Sequence, residues 1–594
     1  MLSAENRLWV GSALVCLSLL PGGRSAQAQA PAATPDSFAE RVEVEVVNVD
    51  VIVTDRENRR VLDLGKDDFE LLVDGRTVPI EYFAAPRFPA SPAPAPPIAP
   101  ESLTPLPVPP PRALPPITLT NLILYIDQTA LENRARHDTV AELREFLRAR
   151  PAVEDRVMVA AFEQNLRVLL LPTTDRERIA QALDQIEKLP ARARLGAGER
   201  MQLEQDVRAF GRNAMRLSGS SAAARGAQLQ RSEALRLENE ISIWAEQEVE
   251  RELRAIVALE RLVGALAAVE GRKAVVLATA GIQAFPARGL FAALDQQRQV
   301  ATTTDANRSP TLELRGQSLI AEFEKMIAVA QNARVALYTV SPGGAPPAEN
   351  SAEFGSSGPG SYRPLPRDMG VVEAASSVAR LAGATGGASF TIGGDLDRRL
   401  EGVTADVDAA YSLGFSTGAE AGEKNHSIEV RTRRAGLEVR HRESFRRRSA
   451  PDRAEAALAA AVTFGQAENP LEITIRFGAG KPGAKKKSGQ IVPLAVAIPL
   501  RLLALVPAGD ERRGSISVRV AIQDARGRML ESAAASVPII VPEGQMEKAL
   551  AGSWYHRAEM RLAPGLQRVA VVVLDEISGV QSTAFAELEI PDLK

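Results

Sequence analysis

The sequence predicts an α/β protein: a doubly wound, mostly parallel sheet, with a β module before it, a helical insertion within it and a C-terminal β-sandwich after it. Three observations predict this. Asn121 to Leu131 (Asn-Leu-Ile-Leu-Tyr-Ile-Asp-Gln-Thr-Ala-Leu) is an apolar run entered from a Pro-rich stretch and left into a helix-forming one, as a central parallel strand would be. Strand-like and helix-like patterns then alternate to about residue 410, the grammar of an α/β sheet. Beyond Pro451, short β-rich segments recur between Gly, Pro and Asp-Ala-Arg-Gly turns, which reads as an immunoglobulin-like sandwich over 455–594.

At 594 residues the chain exceeds one core, and several domains are expected. The balance of 71 basic against 74 acidic residues gives no field that would recruit nucleic acid or an anionic membrane. Arg7, the apolar run Leu8 to Leu20, Pro21-Gly22-Gly23 and Ala26-Gln27-Ala28 have the layout of a signal peptide, residues 1–28, so the protein is expected to be exported to the periplasm or beyond. No later segment reaches membrane-spanning length. The single cysteine, Cys16, lies in that run; a chain cleaved after Ala28 has no thiol for a disulfide, metal site or nucleophile.

The elements follow in order. Residues 40–84 read as an N-terminal β module, in which Asp74-Gly75 marks a hairpin because both central turn positions need positive φ. It buries little by itself and should lean on a neighbour. Fourteen prolines between Pro86 and Pro116 exclude helix and ladder pairing, so 85–117 reads as an extended linker in preference to a recognition peptide. Residues 118–410 form the α/β domain, with helices over about 132–149, 174–189, 316–332, 370–382 and 395–409 and strands near 156–162, 166–171, 273–279, 334–340 and 389–391. Segments 285–310 and 343–367 read as long loops.

Within this domain, residues 190–252 are an insertion rich in Arg, Glu, Gln and Ala. Leu237, Ile241, Trp244, Leu253, Ile256 and Val263 trace a helical stripe, with a Gly/Ser break near Ser218 to Ser221. Glu248 interrupts the stripe and weakens a coiled-coil reading. An insertion folded onto its own domain and a partner-binding arm both fit the pattern. Residues 411–448 read as a β appendage ending in Arg446-Arg447-Arg448, and Lys485-Lys486-Lys487 as a solvated loop.

Catalytic patterns are missing from the sequence. His137, His426, His441 and His556 fall on separate elements, no two at metal-ligand spacing, and there is no nucleophile elbow, Walker loop or dinucleotide fingerprint. Thr385-Gly386-Gly387 reads as a turn, since it lacks a phosphate-binding lysine. The expectation is no enzyme, no cofactor and no catalytic residue.

Several stretches together resemble one family: Val49 to Asp55, Asp67-Asp68-Phe69, Asp74-Gly75, Gly271 to Leu277, Ala336 to Val340, Ala384 to Gly387, Tyr411 to Phe415, and Asn121 to Leu131 itself. The set, over residues 40 to 446, resembles the von Willebrand factor type A-related family of Acidobacteria and other bacteria, whose members are exported. In such A-type domains an Asp-x-Ser-x-Ser motif opens a divalent-metal adhesion site, and the resemblance places Asp127 and Thr129 at its start. Leu131 then stands where the second hydroxyl belongs, no threonine occurs between Thr174 and Thr279 for the second loop, and Thr279-Ala280-Gly281 has a methyl group where the third loop needs a carboxylate. Mg²⁺ needs about six oxygen ligands. Asp127 and Thr129 are therefore expected to be remnants without metal, with Asp127 capping a local amide or pairing with a base. The functional expectation is a secreted or periplasmic module that binds an unidentified protein without metal. The alternatives are a self-associating envelope scaffold and a carboxylate-based hydrolase.

Overall fold

The computed structural model describes residues 45–86, 120–131, 133–149, 156–189, 197–217, 223–301, 318–341, 369–391, 396–417, 424–482, 489–524, 527, 529–531 and 535–591. The expected signal peptide, nearly all of the linker, the Ser218 to Ser221 break, the whole 343–367 loop and Lys485 to Lys487 lie outside them. The chain is mixed α/β with several sheets, and forms two compact units: Asn48–Phe415 with Asn425–Arg446, and Arg447–Lys594 with two short segments.

The first unit opens with β1 (Glu45–Thr54), β2 (Phe69–Val73), β3 (Arg76–Val78) and β4 (Tyr82–Ala84). Asp74 and Gly75, at φ 50 and 75, make the expected tight turn between β2 and β3.

The central sheet is built from β5 (Thr120–Asp127), β6 (Arg156–Phe162), β7 (Leu166–Thr173), β8 (Arg272–Ala278), β9 (Val335–Ser341) and β10 (Ser389–Thr391) in the order β10-β9-β8-β5-β6-β7. All neighbours are parallel except β6 and β7. Strand β5 is central, and its two faces explain its unbroken apolar sequence. Leu122, Leu124 and Ile126 share a core with α1 (Asn133–Ala149) and α2 (Arg176–Lys188), while Ile123 and Tyr125 are equally buried on the opposite face. Asp175 caps α2 by accepting the amides of Glu177 and Arg178.

The insertion is α3 (Ala197–Leu217) and α4 (Ala223–Leu266), the latter 44 residues and roughly 66 Å long. Leu237, Ile241, Trp244, Ile256 and Val263 of the stripe are buried. The first three share a cluster with Val207 and Phe210 of α3 and with Leu290, Phe291 and Leu294 of α5 (Arg288–Ala301). Helix α4 runs past the expected end of the insertion at residue 252 to Leu266, and part of the segment expected to be a 285–310 loop is helix. Helix α5 has only about one turn of apolar residues before Asp295-Gln296-Gln297-Arg298, too little to show a period, and the buried face is completed by α3 and α4.

Helices α6 (Ile320–Asn332), α7 (Met369–Ala384) and α8 (Leu396–Ala409) complete this part. Then come β11 (Tyr411–Thr417), β12 (Asn425–Thr432), β13 (Glu438–Arg440) and β14 (Ser444–Arg446), and they pair with the first four strands. One sheet runs β13-β1-β11-β4 and another β14-β12-β2-β3. The N-terminal module and the appendage, read as separate bodies, are thus interleaved strands of the same two sheets. Tyr411 locks them: its hydroxyl accepts the Leu64 amide at 3.0 Å and donates to the Val61 carbonyl at 2.9 Å, while its ring packs 5.0 Å from Phe69. Local alternation finds each strand but not its partner, since register is set by edges that meet only after the central sheet has formed.

The second unit begins with a helix that alternation did not predict, α9 (Ala450–Phe464). Ser449 and Asp452 form a capping box and Gly465 at φ 67 ends the helix, so the residues between the expected appendage (to 448) and the expected sandwich (from 455) are the first turn of a helix. Its strands are β15 (Thr474–Phe477), β16 (Lys481–Pro482), β17 (Gln490–Pro499), β18 (Val506–Ala508), β19 (Glu511–Asp524), β20 (Met529–Glu531), β21 (Ala535–Pro542), β22 (Ser553–Leu562), β23 (Gly565–Asp575) and β24 (Gln581–Ile590). They form two antiparallel sheets sharing one core, with Val492, Leu494 and Val496 from one and Val518, Val520, Val569 and Val571 from the other. Ala570 and Val572, on the outer face of β23, pack instead on Leu458 and Ala461 of α9, so β23 is buried on both sides.

Candidate functional site

The carboxyl end of β5 places Asp127 where ligands of open α/β sheets bind. The side chain is buried and fully engaged within its own loops. Its Oδ1 accepts the Thr129 amide at 2.9 Å, the Thr129 hydroxyl at 2.7 Å and the Ala130 amide at 3.2 Å, and its Oδ2 accepts the Thr279 hydroxyl at 3.2 Å. Asp127 does cap local amides, as expected. Burial pushes its carboxyl above the usual range, against the pull of these bonds.

The structure brings Asp127, Thr129 and Thr279 together. Leu131 is wholly buried and joins the core under β5. Gly281, at φ +118, has Ala374 of α7 so close that a Cβ would meet its backbone at 2.7 Å, which closes the third loop. Ser218, Ser220 and Ser221 lie outside the described residues. Among the described residues, no group of three His, Cys, Asp or Glu is arranged to hold a metal ion.

Sequence reasoning missed Glu252 of α4, which comes within electrostatic reach of Asp127 at this strand end and of Glu248 on its own helix. Glu252 is pushed well above the carboxylate range by burial, then by Glu248 and Asp127, and is held back in part by a backbone amide of Gln283. Glu248 is raised by burial, against Arg251 and Arg200. The signal was present as the break in the stripe: positions 248 and 252 are one turn apart, and both fall on the inward face.

A carboxyl whose folded pKa lies above its unfolded value binds protons preferentially in the folded state, so its favourable contribution is present at acidic pH and is lost as pH rises from the ordinary carboxylate range through the raised folded value. Glu252→Gln is therefore expected to unfold like the parent near pH 5 and to be more stable than the parent at pH 8, by about 1–2 kcal/mol. Denaturant titrations of both proteins at the two pH values check this; a variant less stable than the parent at pH 8 would contradict it.

A second polar cluster lies at the opposite end of the sheet. Asp50 faces Arg272, Arg334 and Arg442 in a cavity of about 60 Å³. Burial would raise its carboxyl, but these cations together hold it below the usual range. The same cations bind helix ends: Arg272 donates to the carbonyls of Val407 at 2.6 Å and Ala410 at 2.9 Å, Lys273 to Val269 at 2.9 Å, and Arg442 to Gln331 at 2.7 Å and Asn48 at 2.9 Å. Three helix C-termini are capped in this way, and β1 is tied to them. The cluster is a structural joint.

The histidines do not assemble. His137 pairs with Glu187 at 3.1 Å and His426 with Asp74 at 2.7 Å, while His441 accepts the Val430 amide on Nε2 and places Nδ1 2.8 Å from the Arg442 carbonyl. His556 lies on β22, stacked on Trp554. Thr385-Gly386-Gly387 is a helix end: Gly386 donates to Gly383, Gly387 to Ala382, and Gly386 has φ +83, a Schellman motif closing α7.

No family model matches the chain, and no curated protein does. Solved structures show slight likenesses. An aerotolerance-related membrane protein of Bacteroides fragilis is 10% identical, covering 49% of this chain and 98% of that one at a TM-score of 0.21. The conserved hypothetical protein BatB of Bacteroides thetaiotaomicron is 8% identical over 48% and 98% at 0.21. Three N-terminal domains of the type V pili tip protein Mfa5 of Porphyromonas gingivalis are 9% identical over 80% and 71% at 0.23.

Proposed function

We propose that this chain is an exported protein-interaction module of the cell envelope, in which a von Willebrand A-type domain works without metal and an immunoglobulin-like sandwich follows it. Binding runs through the outer face of α4 and not through the strand end. The observation that carries this is a contrast of exposure. At the strand end Asp127, Gln128 and Thr279 are buried and Gly281 is covered, whereas Leu229, Leu235 and Ile243 on α4 are 65%, 64% and 57% exposed. They lie on the face opposite the buried stripe, between ion pairs such as Arg236 with Glu233 and Glu240. Apolar side chains held out on a rigid helix favour an apolar groove on another protein. No catalytic role is assigned, and no helix among the described residues is long and apolar enough to cross a membrane.

The test is retention of envelope proteins on immobilised chain, with the parent compared to Leu235→Glu/Ile243→Glu. A specific partner is expected to be retained about tenfold less by the variant, since apolar anchors dominate such interfaces. Its retention by the parent should be the same in Mg²⁺ and in EDTA. Equal retention by the variant would remove α4 as the binding face, and loss in EDTA would restore the metal site.

A further inference from the structure

Among the described residues of the second unit, three long strands stand at sheet edges, and two are protected. Strand β21 carries Pro538 and Pro542, and β24 is met at Thr583, whose amide donates to the Glu468 carbonyl at 2.7 Å. Strand β22 has neither device. It is 10 residues long without proline, pairs with β17 from Ser553 to Leu562 with no register shift, and has no described strand on its other side.

The backbone groups on that open edge can be assigned. The Gly478 amide donates to the Pro493 carbonyl at 2.8 Å, so residue 493 faces away from β22. By alternation Val492 and Leu494 face β22, and their partners Met560 and Ala558 face β17. Tyr555, Arg557, Glu559 and Arg561 therefore turn their N–H and C=O groups to the open side, and their side chains are exposed.

We propose that a second copy of this chain adds to this edge, antiparallel, about a two-fold axis at Ala558, joining the two sheets into one. The register follows from charge. With the axis at Ala558, Arg557 lies opposite Glu559 of the second copy and Glu559 opposite its Arg557, while Tyr555 faces Arg561. Each of these opposed pairs exchanges both ladder bonds, and nearly the whole strand overlaps. An axis at Glu559 would set Glu559 against itself and Arg557 against Arg561. One at Met560 opposes Glu559 to Arg561 but overlaps only residues 558–562. A slip by one residue would oppose inward to outward faces. The isologous contact is closed, which limits assembly to a dimer.

The experiment is sedimentation velocity of the chain carrying Cys16→Ser over a range of concentrations. A reversible dimer is expected, with Arg557→Glu and Glu559→Arg each raising its dissociation constant about tenfold, because two attractive pairs become repulsive. The double variant Arg557→Glu/Glu559→Arg exchanges the partners and should return to the parent value. Because a charge reversal could disturb folding, a second measurement stands apart from it: oxidising a mixture of the Arg557→Cys and Glu559→Cys proteins should cross-link the two to each other faster than either to itself. A chain monomeric at every concentration, including one that instead takes up a strand from another protein, would overturn the proposal. So would a dimer indifferent to both reversals, or preferential cross-linking of Glu559→Cys to itself. The arm variant Leu235→Glu/Ile243→Glu should leave this dimer unchanged, so failure here and failure of the α4 reading are separate results.

Discussion

Gly387→Ala is expected to destabilise the first unit by roughly 3–5 kcal/mol, near the upper end of single-substitution effects. A Cβ at this position would lie 1.9 Å from the Leu337 carbonyl oxygen and 2.7 Å from its carbon, both backbone atoms of β9. Neither can yield without moving the strand. The displacement would also strain the bonds that seat the turn: the Leu337 amide donates to the Thr385 hydroxyl at 3.0 Å, and the Thr339 amide to the Ala388 carbonyl at 3.0 Å. Pairing of β10 with β9 begins two residues later, at Ser389. Gly383→Ala, one turn earlier in α7 with nothing near its Cβ position, is the control and should be neutral or stabilising by up to about 1 kcal/mol. Denaturant unfolding of the two variants checks this; equal midpoints would show that the sheet accommodates the methyl group.

Asp406→Ala is expected to cost about 3 kcal/mol or more. Asp406 on α8 is 2% exposed and is shared by Arg60 at 3.0 Å and Arg440 at 2.7 Å, and Arg60 also donates to the Gly402 carbonyl at 2.7 Å. Removing the carboxylate leaves two guanidinium groups close together without their counter-charge, a larger penalty than the pair's net worth. Asp406→Asn, which keeps an acceptor and the shape, should lose less. Hydrogen exchange would locate the effect, with amides of β1 and β13 exchanging faster in the alanine variant while those of the second unit do not change. A loss below about 1 kcal/mol would mean that solvent screens the triad.

These effects sit at positions of unequal legibility. The glycine pair after α7 was readable as a turn, because positive φ has a sequence signature; the contact of Gly387 with Leu337 was not, because it depends on how closely β10 approaches β9. Arg60, Asp406 and Arg440 come from three distant segments, and nothing in their local sequence links them. At the strand end, that Leu131 and Ala280 offer no side-chain oxygen could be read from the residues themselves. That Asp127 is satisfied by Thr129, Ala130 and Thr279 needed the fold, as did the approach of Glu252 of α4.

The sequence by itself determined where the strands and most helices lie. Burial on one face or on two writes a period, or an unbroken apolar run, into consecutive residues, and caps and turns mark the ends. It did not show α5 or α9. The first has too short an apolar stretch for a period, and the second is alanine-rich, with side chains too small to stand out until Ala570 and Val572 of β23 supply the facing surface. Tertiary structure alone decided that the strands before and after the central domain are interleaved, that the insertion covers α5, and that β22 has no described strand on its outer side. Each of these is a choice of partner between segments far apart in the chain, and partner choice is fixed by the packing of already formed faces, which no local pattern records.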